Sequence, residues 1–121
     1  MALSADQKQR IKDSTLLYRS EINQINDWIY NEPNDERCEL LYLLRALSTI
    51  EHGARIDLFN ENHSEASLEE IAQQVNRYFP EKDDAELFDD LSILEDDVRE
   101  HYFNDPQKEK KALLTQLGLE L

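Results

Sequence analysis

The chain has 121 residues, 40% of them apolar and 33% charged, and a formal net charge of −14. That length fits one domain with one hydrophobic core, and only two glycines and three prolines exclude a turn-rich all-β fold or a disordered chain. A single cysteine, Cys38, excludes an internal disulfide framework, and the negative charge disfavours direct binding to nucleic-acid phosphates or anionic membranes.

The first ten residues, MALSADQKQR, contain no apolar run of the kind a signal peptide needs. The first helix is expected over about 5–30. Ser4 with Gln7 reads as a capping box. Ile11, Thr15, Tyr18, Ile22, Ile25 and Ile29 recur at alternating spacings of four and three, a seam for packing along the helix length. Leu17 and Trp28 widen that stripe. Pro33 disfavours a helical residue before it and ends the element.

The second helix is expected over about 36–59, with Asn34 or Asp35 as cap. Leu40, Leu41, Leu43, Leu44, Leu47 and Ile50 make its first half apolar nearly all round, which is the signature of a central helix. Gly53 falls inside it. Ile50, Ala54 and Leu58 keep one face across that glycine, so the helix is expected to continue. The run Leu40 to Leu44 is the longest apolar stretch and is far too short to cross a bilayer. The expected location is cytoplasmic.

A third helix is expected over about 68–79, started by a second capping box, Ser67 with Glu70, and stopped by Pro80. Its apolar stripe is Leu68, Ile71, Ala72, Val75, Tyr78 and Phe79. The fourth is expected over about 84–103, where Leu87, Leu91, Leu94 and Val98 again step by four and three. A short fifth, about 106–117, starts with Asp105 as cap and Pro106 at the first helical position. Leu113, Leu114 and Leu117 dock it. Gly118 is placed as a C-terminal cap, and Leu119 can fold back on the last turn. No segment shows the period of two that a strand requires. The expected architecture is all-α, a compact four- to five-helix bundle forming a single domain over 1–121.

The charge is not evenly shared. Residues 81–103 hold two basic and ten acidic side chains, net −8, more than half of the total. Asp is a poor helix former, and like charges four apart, such as Glu86 and Asp90, repel. Local helix stability does not select such a sequence. A solvated helix face is one explanation, and a docking surface for a basic partner is the other. On the second, the partner-binding residues are Glu86, Asp89, Asp90, Glu95, Asp96, Asp97 and Glu100.

Motifs that carry chemistry are missing from the sequence. His52, His63 and His101 stand apart, with no Glu-x-x-His pair and no cysteine cluster to hold a metal. There is no phosphate-cradling glycine loop and no Gly-x-Ser-x-Gly. Cys38 lies at the start of helix two, where a helix dipole could lower its pKa, but no histidine accompanies it. Glu51 and His52 are adjacent and point in different directions on a helix. The expectation is therefore a non-enzymatic protein without metal or cofactor. Its acidic helix would occupy a basic surface of a partner protein, such as a nucleic-acid-binding one, in the manner of an inhibitor, immunity protein or nucleic-acid mimic. The alternative is a helical adaptor, chaperone or dimerisation module that uses the apolar seam of helix one, whose net-neutral charge tolerates a homodimer. A third reading places a ligand pocket near His52, Arg55 or Tyr42. Aromatic residues off the seam (Trp28, Tyr30, Tyr42 and Phe59) are candidate interface anchors.

Overall fold

The structure, a computed structural model, describes residues 3–56, 65–80 and 106–121. They form four helices and no strand: α1 Ala5–Asn31, α2 Asp35–Arg55, α3 Glu65–Tyr78 and α4 Pro106–Leu117. The helix expected over 84–103 lies outside the described residues.

Local signals explain most helix ends. Ser4 and Gln7 make the reciprocal capping box: the Gln7 N–H donates to Ser4 Oγ at 3.1 Å, and the Ser4 N–H to Gln7 Oε1 at 2.9 Å. Asn34 caps α2 by accepting from the Arg37 N–H at 3.0 Å. At the end of α4, Gly118 takes φ +71°. Its N–H donates to the Thr115 carbonyl at 3.2 Å, and the Leu119 N–H to the Leu114 carbonyl at 3.0 Å. That pair is a Schellman motif, and Leu119 folds back onto the same apolar cluster as Leu114.

Two boundaries differ from expectation. Helix α2 runs through the buried Gly53 but ends at Arg55, with Ile56 in a turn; positions 57–59 lie outside the described residues. Helix α3 begins at Glu65, so Ser67 is its third residue and not its cap. Glu65 and Ala66 extend the helix ahead of the expected start. The Glu70 carboxylate is also turned elsewhere, accepting from the Leu3 N–H at 2.8 Å.

Helix α2 is central, packing on α1 along one side and α4 along another, while α3 packs on α1. Five of the six seam residues of α1 are buried as their spacing predicts, Ile11, Thr15, Tyr18, Ile22 and Ile25 all being 3% exposed or less, and the sixth, Ile29, is half-buried against the main cluster. Leu17 does not join it, being 48% exposed. Its place is taken by Ser14, four residues before Tyr18 on the same face. On α3, Leu68 is exposed while Ile71 is buried, and Phe79, just past the end of the helix, is buried as well.

The main cluster joins Ile25 to Leu41, Leu44 and Leu47 of α2 and to Leu113 and Leu117 of α4, with Trp28 half-buried against it. A second joins Ile11, Ile56 and Ile71, and a third joins Tyr18, Ile22 and Phe79. Helix α4 is also held by charge. The Lys110 ammonium, with the residue 7% exposed, donates to Glu21 of α1 at 2.7 Å and to Glu51 of α2 at 2.9 Å. Arg55 approaches the other oxygen of Glu51 at 3.6 Å. Lys110 thus sits between two carboxylates, largely shielded from water, where pairing offsets much of the cost of removing charges from water, while Arg55 keeps 28% of its side chain exposed.

Candidate functional site

The seven acidic residues expected to bind a partner, Glu86, Asp89, Asp90, Glu95, Asp96, Asp97 and Glu100, lie outside the described residues. What the structure does describe makes the charge segregation sharper. The described residues contain 11 basic and 14 acidic side chains, net −3 of the total −14. The other −11 is carried by residues 57–64 and 81–105, chiefly the latter.

The most organised polar group within the body lies between α1 and α2. Ser14 Oγ sits 2.9 Å from His52 Nδ1. The Thr49 hydroxyl donates to the Arg45 carbonyl at 3.1 Å, so the Tyr18 hydroxyl, 2.9 Å from Thr49 Oγ1, is the donor in that contact. The His52 ring stacks on the Tyr18 ring at 4.4 Å and 2°, and Phe79 meets Tyr18 edge-on. Every one of these side chains except Arg45 is buried. No sequence motif marks this cluster. Its signal is Ser48, Thr49 and His52 recurring in the second half of α2, with Ser14, Thr15 and Tyr18 at matching helical spacing on α1.

Of the three residues named for a pocket, Arg55 lines an open cavity of about 460 Å³. Asp6, Arg10, Asp13 and Ser14 of α1 line it too, and His52 stands behind Ser14. Two guanidinium groups face two carboxylates there, so the lining compensates its own charge and selects neither anions nor cations. Tyr42 is not part of it. That ring is on the surface, 39% exposed, beneath the Arg45 guanidinium at 5.0 Å.

Cys38 is engaged structurally. Its thiol donates to the Glu32 carbonyl at 3.3 Å, beyond the end of α1. Beside it, Arg37 Nε donates to Glu32 Oε2 at 2.9 Å and Arg37 Nη2 to the Leu117 carbonyl at 3.1 Å. The hydrogen bond from Arg37, with a further one from the Asn34 N–H, holds the Glu32 carboxyl below its ordinary value. Of the candidate aromatic anchors, Tyr30 is 90% exposed, Trp28 packs on the main core, and Phe59 is outside the described residues.

Among the described residues no group of three or more His, Cys, Asp or Glu side chains could hold a metal ion, and no helix is long and apolar enough to cross a membrane. Comparison of the chain with protein-family models, curated proteins and solved structures finds no match.

Proposed function

We propose that this protein is a non-enzymatic binding or regulatory protein. Its acidic segment, residues 81–100, occupies a basic surface of a partner protein, such as one that otherwise holds nucleic acid, as an inhibitor, immunity protein or nucleic-acid mimic would. The observation that carries this reading is the segregation of charge. Residues 81–103 alone carry −8, whereas all the described residues together carry −3. Carboxylates crowded along a short stretch of chain match the arginines and lysines of a phosphate-binding surface, and they speed encounter by steering.

The test is a charge reversal. Affinity capture from the native host at low and high salt supplies the partner, and calorimetry then measures its binding. The variant Asp89→Lys/Asp90→Lys/Asp96→Lys/Asp97→Lys is expected to lose that binding while circular dichroism stays unchanged. Wild-type affinity should also fall steeply with salt. Undiminished affinity in the reversed variant would remove the acidic segment as the docking surface.

A further inference from the structure

A groove of about 200 Å³ lies between helices α2 and α4. Its walls are Leu40 and Leu43 of α2 and Glu109, Ala112 and Gln116 of α4, with the buried Leu47 and Leu113 beneath. We propose that this groove is a socket for one apolar side chain of a partner helix whose flanks are basic. The proposal rests on the preceding reading for one premise only, the basic character of the partner.

Volume narrows the occupant first. Sites for drug-sized ligands run from about 300 to 1,000 Å³, so this groove is too small for one and suits a single large side chain, the usual form of an interface anchor. The walls narrow it further. Both are helices, and a third helix can lie along the furrow with one residue entering it. Leu40 and Leu43 are only half-buried, so they retain apolar surface for that contact.

Charge then sets the flanks. Glu36 and Glu39 are exposed one helical turn before Leu40 and Leu43 and share their face. They place two carboxylates on the α2 rim. On the α4 side, Glu109 lines the groove itself, while Lys108 is the cation nearest the rim by helical position; both have partners of their own. A helix presenting Leu or Phe inward and Lys or Arg along its edges complements this surface, whereas an acidic helix is repelled by it.

The probe is a fluorescein-labelled helical peptide of about 18 residues, with leucine at positions i, i+4, i+7 and i+11 and lysine on the flanks, titrated against the full chain by anisotropy. Saturable binding is expected. Replacing its leucines by glutamine should weaken binding about tenfold or more, because the buried apolar contact is lost. Ala112→Trp fills the groove from an exposed position, leaves the helical spectrum unchanged and should produce a loss of similar size. The Asp89/Asp90/Asp96/Asp97 lysine variant should still discriminate the leucine peptide from the glutamine one, which separates this site from the acidic segment. Three results would overturn the socket: no saturable binding, equal binding by both peptides, or undiminished binding to Ala112→Trp.

Discussion

The two ends of the α1/α2 pair are built differently. Near the connection at residues 32–34, Ile25 faces Leu41, Leu44 and Leu47, and α4 closes the cluster with Leu113 and Leu117. Farther from it, the same two helices meet through Ser14, Thr15, Tyr18, Ser48, Thr49 and His52, all 5% exposed or less. Apolar packing is non-directional and tolerates a helix sliding or rotating. Hydrogen bonds at fixed heights, such as Ser14 to His52 and Tyr18 to Thr49, do not. One end supplies most of the stabilisation and the other fixes the register, at some cost, because buried hydroxyls surrender water. The cost is visible at Thr15 Oγ1 and Ser48 Oγ, for which no hydrogen-bond partner is found.

The contrast is broken most directly at the apolar end. Leu44 is 0% exposed at the centre of the main cluster. Leu44→Ala removes its transfer energy and leaves a cavity, an expected loss of about 4 kcal/mol. Urea unfolding followed by circular dichroism measures this. A loss below about 1 kcal/mol, the level of an average point mutation, would mean that the cluster is not the main source of stability.

At the polar end the expected sign reverses. Thr15 is 0% exposed and its hydroxyl is unpaired. Thr15→Val keeps the branched shape and removes the desolvated oxygen, so stability should rise by about 1 kcal/mol. The same urea midpoint reads it. A destabilised valine variant would show that the hydroxyl is satisfied and that the polar end is not a net cost.

These two ends also mark what could be read from the sequence. The apolar seam of α1, the all-round apolar start of α2, the Ser4–Gln7 box and the Gly118 cap all rest on spacing within one segment, and the structure contains each of them. Leu17 was misplaced because the spacing admits either Leu17 or Ser14 beside Tyr18; tertiary packing chose the serine, whose partner His52 is 38 residues away. Ser67 and Glu70 satisfied a local capping rule, yet the Glu70 carboxylate is taken by Leu3 N–H from 67 residues away. Polar matches across helices are invisible to a local pattern, since neither partner signals the other. The acidic segment is the opposite case. Its charge is plain in the sequence, and its use depends on a surface that belongs to another molecule.

The smallest expected effect lies at the connection itself, where Arg37 ties the Glu32 carboxylate to the last carbonyl of α4. Glu32 titrates below the ordinary value of 4.5, chiefly because Arg37 donates a hydrogen bond to its charged form. A carboxyl whose folded value is depressed contributes stability that is fully present above the unfolded value and is lost as pH falls through the folded one. The Glu32–Arg37 contribution should therefore be constant from neutral pH down to about 4.5 and fade at more acid pH. Partly exposed ion pairs contribute little, so the clearest readout is the group itself. In a carboxyl-carbon NMR titration, Glu32 should show a midpoint below 4.5 that rises towards 4.5 in Arg37→Ala. If the midpoint stayed where it was, Arg37 would not hold the carboxylate, and the tie between the α1–α2 connection and the end of α4 would reduce to the Leu117 contact alone.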